Sequence, residues 1–450
     1  MTQMLSRSAH ARALLALGLP LVGSHLAQML LHVTDTVIVG WYGVTDLAAV
    51  VLGSSSFFVV FILGSGFAQA VMPMVAQALG RGDETEVRRA ARMGLWLSIA
   101  FALLSYPLFW WAGPILLAMG QKPEVAQLGQ DFLRIAGLGM MPALLVMVLK
   151  SYLAALERTQ VVLWVTVAAV FFNAFFCYAL VFGHWGAPEL GVRGAAIASF
   201  VVQTLTCVIL AVYAAWLREL RRFHLFQRFW RPDWHAMGMV LRLGMPIGLT
   251  SLAESGLFQA TAVMMGWIGT VELAAHGITL QVAAMTFMVH VGLSNATTVR
   301  TGRFAGAAEW DNLREGAKVA IALSMLFGMT TVALFLAIPE TIIGLFIDQS
   351  GAQAGQIIAF GTMLMALAAA FQMVDAAQVM ALGLLRGVHD TRVPMWIAAF
   401  SYWVIGMPTS YLLAFKVGLG GAGLWIGLVV GLTLAAIALM ARFWLRVPKG

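Results

Sequence analysis

A chain of 450 residues that is 61% hydrophobic and only 10% charged, with a mean hydropathy of +0.88, has more apolar surface than a soluble fold can cover, so it reads as a polytopic membrane protein. Its net charge of +7 would suit a nucleic-acid partner only if the basic residues shared one face. They fall between apolar runs instead, which excludes that class and marks them as topogenic charge.

The start, MTQMLSRSAHARALLALG, places arginines before an apolar segment as a signal peptide does. The segment is too long and ends in no A-x-A-type site, so it is a first spanning helix. Runs of spanning length follow at about 14–39, 48–74, 90–118, 129–154, 160–183, 193–216, 239–265, 274–298, 317–343, 355–384, 394–415 and 418–441. The expected fold class is an all-α polytopic membrane protein of twelve helices. With the N-terminus cytoplasmic, every Lys and Arg lies on or near the inner side except Lys122, Arg134, Arg193 and Lys416, the bias that sets orientation. Cys177 and Cys207 both lie inside apolar runs without ligand spacing, so neither a disulfide framework nor a zinc site is expected.

A single shift of 226 aligns Leu14–Gly43 with the stretch ending at Gly269. Pro20 meets Pro246, Gly18 meets Gly244, Trp41 meets Trp267 and Gly43 meets Gly269, and further on Gly80 meets Gly306 and Arg88 meets Arg314. Two copies in one orientation are the mark of a parallel internal repeat of six helices each. The expected organisation is 1–216 as the first lobe, 217–238 as a cytoplasmic linker and 239–450 as the second lobe. The linker region Leu217–His235 holds five arginines among Trp and Phe; a segment lying on the membrane surface explains that composition, and a lipid-reading helix is the rival. Gly423, Gly427 and Gly431, at four-residue spacing on the last span, predict close helix packing. Pro20, Pro73, Pro142, Pro246 and Pro408 each remove a helical hydrogen bond and permit a kink or hinge.

Three acids lie well inside spans: Asp35, Glu254 and Asp375. A carboxylate near the middle of a spanning helix costs roughly 2.5 to 3.5 kcal/mol on insertion scales, so such a residue pairs, protonates or faces water, and is a functional candidate by default. The acids are not repeated, since Asp35 faces Thr261 and Glu254 faces Gln28 across the shift. No Lys or Arg stands mid-span to pair with them. Glu254 and Asp375 share one repeat, where two carboxylates either ligate a hard cation such as sodium or hold a proton between them; residue types alone leave both open. Ser255 and Gln259 near Glu254, and Gln372 and Gln378 near Asp375, are candidates to complete that shell, and Thr36 stands beside Asp35. H-E-x-x-H, G-x-S-x-G and Walker patterns are absent, so an enzyme is not expected and transport would run on an ion gradient or downhill.

Four stretches carry a family resemblance: VTDTVIVG around Asp35, PMVAQALGRGD from Pro73 to Asp83, PIGLTSLAES with Glu254, and FQMVDAAQVMALGLLRGVHDTRVP around Asp375. Along essentially its whole length the chain resembles the multidrug and toxic compound extrusion (MATE) transporters, closest to the NorM-like branch. The resemblance implies two six-helix lobes in a V around a central cavity, and export of bulky amphipathic, often cationic, compounds in exchange for sodium or protons, without a cofactor. It assigns Asp35 to protonation and drug release, Glu254 with Asp375 to a cation site, Pro20 to bending of the first helix, and Asn173 to the neighbourhood of the first-lobe acid. Two positions depart: Cys177 stands one turn after Asn173 where relatives carry Asp or Asn, and Phe371 stands one turn before Asp375 where some carry Tyr, which removes a hydroxyl ligand but leaves a ring face to attract a cation. The implied partners are small-molecule drugs or toxic organic cations and membrane lipid, with no nucleic acid, and the chain is expected as a monomer in the bacterial inner membrane with both termini cytoplasmic. A lipid-linked oligosaccharide flippase of the same superfamily is the alternative, and an intramembrane enzyme a remote one.

Overall fold

The computed structural model describes residues 4–348 and 350–448; the first three residues of the arginine-bearing start, Gln349 and the last two residues lie outside the described residues. Every regular element among the described residues is helical, and twelve helices are long and apolar enough to cross a membrane. They are α1 Arg7–Tyr42, α2 Val44–Arg81, α3 Glu84–Trp110, α4 Pro123–Ala155, α5 Thr159–Phe182, α6 Val192–Trp216, α7 Trp234–Ile268, α8 Thr270–Gly306, α9 Trp310–Ala337, α10 Ala354–Gly387, α11 Arg392–Lys416 and α12 Gly420–Arg446. Most outrun their apolar windows, because the hydrogen-bonded helix continues past the hydrocarbon into polar turns.

The spans expected at 90–118 and 317–343 both end early. α3 stops at Trp110 and α9 at Ala337, and each is followed by a separate short helix, Ala112–Ala118 and Pro339–Gly344. Trp111, at φ −102° and ψ 31°, leaves helical geometry; Pro339 opens its helix at a position where its missing N–H costs no helical bond.

The repeat is visible in the element boundaries. A shift of 226 carries α1, α2 and α3 onto 233–268, 270–307 and 310–336, within a residue of α7, α8 and α9. A shift of 232 carries α4 and α5 onto 355–387 and 391–414, close to α10 and α11. The six additional residues enter between Gly344 and Ala354. The turn after α4 recurs after α10: Arg158 N–H donates to Leu153 O at 2.8 Å and Asp390 N–H to Leu385 O at 2.9 Å, with Glu157 and His389 both left-handed at φ 62° and 58°.

The helices sort into two compact units, Met1–Val22 with Leu249–Gly450, and Gly23–Gly248. This differs from a division at the linker, which lies wholly in the second of these units. The borders fall two residues after Pro20 in α1 and two residues after Pro246 in α7, at equivalent repeat positions. Each proline removes one rung of its helix ladder, so the two halves of α1, like those of α7, pack with different partners. In the unit containing Glu254, a Cβ on Gly292 of α8 would lie 2.7 Å from the Val22 backbone nitrogen; in the other, a Cβ on Gly66 of α2 would lie 2.5 Å from the Gly248 nitrogen. The two contacts are the same contact in the two repeats, since the shift of 226 maps Gly66 to Gly292 and Val22 to Gly248.

The close packing expected of the last span is present. A Cβ on Gly423 would come within 2.6 Å of the Ala414 nitrogen, one on Gly427 within 2.3 Å of the Ser410 nitrogen, and one on Gly431 within 2.8 Å of Gly406 Cα, so α12 meets α11 backbone to backbone. Around Pro408, α11 widens into π-helical turns at Phe400–Gly406 and Leu412–Lys416. Gly427→Leu is expected to lower thermal stability in detergent by about 3 kcal/mol or more, above the usual overpacking range because the obstacle is backbone; a melting temperature equal to the wild type's would contradict this contact.

Candidate functional site

Glu254 sits on α7 and Asp375 on α10, in the same compact unit. α10 is held against α8 by hydrogen bonds along its length: Gln372 Nε2 donates to Ala283 O at 2.9 Å and to Thr286 Oγ1 at 2.6 Å, Ser294 Oγ donates to Val379 O at 2.8 Å, and Thr298 Oγ1 donates to Gly383 O at 2.9 Å. Gln372 thus cross-links α10 to α8 through its amide nitrogen, while its Oε1 is buried without a hydrogen-bond partner. α7 is tied to α11 beside Glu254, where the Trp403 indole N–H donates to Ala253 O at 3.1 Å. These ties fix both acids on rigid elements.

Asp375 is buried at 2% exposure and lies within electrostatic reach of Glu254. Gln378, one turn beyond Asp375, is beside Glu254 and donates its amide N–H to the Tyr402 hydroxyl from α11. Arg386, at the end of α10, is also within electrostatic reach of Glu254 and Tyr402. Two features that residue types did not disclose thus complete the cluster. A buried phenol, Tyr402 at 0% exposure, enters the cluster from α11 against Gln378, and Glu254, which the sequence left without a basic neighbour, has Arg386. Arg386 looked terminal in the chain; eleven residues after Asp375 is close to three whole turns, the same helix face, and a long side chain on a helix leans back toward its N-terminus.

Within this cluster Asp375 Oδ1 and Gln378 Oε1 are buried with no hydrogen-bond donor. Buried acceptors are ordinarily satisfied, so these two oxygens stand out in a cluster that also holds the Glu254 carboxyl. Phe371 is buried edge-on against Phe258 and Trp425, at centroid distances of 5.9 and 5.6 Å. Ser255 is half buried and Gln259 exposed on α7; no hydrogen bond joins either to the acids among the described residues.

Asp35 belongs to the other unit and is built separately. Asn173 Nδ2 on α5 donates to Asp35 Oδ1 at 2.5 Å, and Ser199 Oγ on α6 donates to Oδ2 at 3.3 Å. Cys177, one turn along from Asn173, lies beside the same carboxylate. Asn173 and Cys177 are both fully buried, and α5 thus presents the pair to α1. Ser199 carried no sequence signal, since a serine in a spanning helix usually bonds its own backbone. Thr36 does so, donating to His32 O at 3.0 Å from an exposed position. Gln28 is half buried on α1, and Pro20 is buried where α1 changes partners.

With two intramembrane acid clusters on a duplicated six-helix plan, the comparisons decide the family. The MatE family model matches residues 20–179 and 246–412. The chain belongs to the MATE family. It is 46% identical over 435 residues to the "Probable multidrug resistance protein NorM" of Rhizobium meliloti, covering 97% of this chain and 93% of that one, and 46% identical over 440 residues to the protein of the same name in Agrobacterium fabrum, covering 98% and 95%. The eukaryotic MATE transporter AtDTX14 shares the fold with a TM-score of 0.88 at 20% identity over 98% of this chain and 97% of that one. An outward-facing multidrug resistance MATE transporter matches with a TM-score of 0.85 at 21% identity, covering 97% and 96%.

Proposed function

We propose that the protein is a secondary multidrug efflux transporter of the bacterial inner membrane, exchanging amphipathic, often cationic, compounds for sodium ions or protons. Both termini would lie on the cytoplasmic side, consistent with the bias of Lys and Arg, and one chain carrying both repeats would act alone. The observation that carries the coupling is the Glu254 and Asp375 cluster, with its donorless Asp375 Oδ1 and Gln378 Oε1. An arriving sodium ion would take those oxygens as ligands, and an arriving proton would supply the missing donor. Either neutralises buried negative charge and so favours whichever access state encloses the site. Drug binding favours the other state, and each ligand lowers the affinity of its competitor by the same factor. Asp35, with its Asn173 and Ser199 donors, would be the second protonation point, governing release in the other unit. The relatives named as multidrug resistance proteins support the substrate class.

The test is efflux of a fluorescent cationic dye from proteoliposomes under a sodium gradient and a proton gradient imposed separately. Efflux driven by one of them is the expected result, and the effective gradient names the ion. Movement under neither gradient would overturn the reading in favour of the oligosaccharide flippase.

A further inference from the structure

The segment between α6 and α7 is not a slack connection. Arg92 of α3 donates to the carbonyls of Gln227 and Arg228, both at 3.2 Å, and the Trp96 indole N–H donates to Phe229 O at 2.8 Å. Trp96 stacks on Phe229 at 5.9 Å between centroids, and Arg89 pairs with Asp233. Leu220, Phe223 and Leu225 turn inward, each no more than 3% exposed. With one face clamped to α3, the other is set outward, and it carries Arg218, Arg221, Arg228, Arg231 and the indole of Trp230, which is 72% exposed.

The acids of this face are already engaged. Glu219 pairs with Arg158, Glu84 with Arg222 at 3.6 Å, and Asp233 with Arg89; the Arg89 guanidinium holds the Asp233 carboxyl below the usual carboxylate range, so it stays ionised at neutral pH. Among the described residues Arg218, Arg221, Arg228 and Arg231 enter no ion pair, leaving a surplus of positive charge on the outward face. Spanning helices flank the segment on both sides, ending at Trp216 and beginning at Trp234, both more than 70% exposed. Exposed indoles at span ends sit at the headgroup level, so the surface these arginines border is the lipid leaflet itself.

We propose that this strap is a docking surface for anionic phospholipid headgroups on the side of the membrane where α1 begins. Each guanidinium offers paired N–H donors to a phosphodiester, while Trp230 anchors in the interface. The clamp to α3 makes this a preformed surface rather than a loop that folds on lipid.

The full-length protein would be equilibrated in vesicles of equal phosphatidylglycerol and phosphatidylcholine, extracted, and its retained lipid counted by native mass spectrometry. Wild type is expected to retain phosphatidylglycerol selectively, each of Arg218→Gln, Arg221→Gln, Arg228→Gln and Arg231→Gln to lower that retention up to roughly fivefold, and the fourfold variant carrying all of them to lose the selectivity. A control replacing Arg12, Arg88, Arg242 and Arg392 by Gln removes the same charge from the same side and is expected to keep the selectivity. If the control loses it equally, if wild type shows none, or if millimolar inorganic phosphate strips the lipid, the proposal falls. The single variants keep the test intact where the fourfold variant fails to fold.

Discussion

Gradient-driven dye efflux is expected to vanish in the Glu254→Gln, Asp375→Asn double variant while the protein still folds. Both replacements keep shape and remove charge, so the α8–α10 ties made by Gln372, Ser294 and Thr298 are untouched. What disappears is any preference of a cation or proton for one access state, and a ligand without differential affinity shifts no equilibrium. Coupling energies between sites usually amount to factors of roughly 5 to 150, so the loss should approach the downhill leak. Each single variant should lose most of that, because it leaves one carboxylate where the cluster has two, and the Glu254 left in Asp375→Asn lies within electrostatic reach of Arg386. The measurement is initial efflux rate in proteoliposomes beside a melting curve in detergent. Wild-type efflux in the double variant would remove the cluster from the mechanism.

Asp35→Asn is expected to cut efflux by about tenfold or more, an amount within the same coupling range, with little change in melting temperature. The amide oxygen still accepts from Asn173, so the fold loses little, but the group can no longer exchange a proton. Asn173→Leu should behave oppositely, lowering stability first: it strips the 2.5 Å donor from a carboxylate, and hydrogen bonds to charged groups are worth about 1.5 to 3 kcal/mol. Comparing the two variants separates charge from architecture. Equal losses of efflux and stability in both would reduce Asp35 to a structural residue.

How much of this was readable before folding depends on contrast. An acid among apolar residues is conspicuous, so Asp35, Glu254 and Asp375 declare themselves, as do the twelve spans and the repeat. Their partners do not. Tyr402 and Ser199 are ordinary residues on helices distant in sequence, and reach the acid clusters only because α11 packs beside α7 and α6 beside α1. Arg386 was hidden by its place at a helix end. Proximity in the chain likewise did not disclose that Gln372 cross-links α10 to α8 through its amide nitrogen or that Phe371 packs edge-on against Phe258 and Trp425.

By itself, then, the sequence determined composition-driven membrane insertion, helix number, the duplication and the locations of expensive charge, because bilayer thickness and the cost of buried carboxylates act on local stretches. Tertiary structure alone decided which donors reach which acid, and that α1 and α7 change partners just beyond Pro20 and Pro246. Such choices rest on backbone-to-backbone contacts at Gly66 and Gly292, which form between helices far apart in the chain and leave no period or spacing behind them.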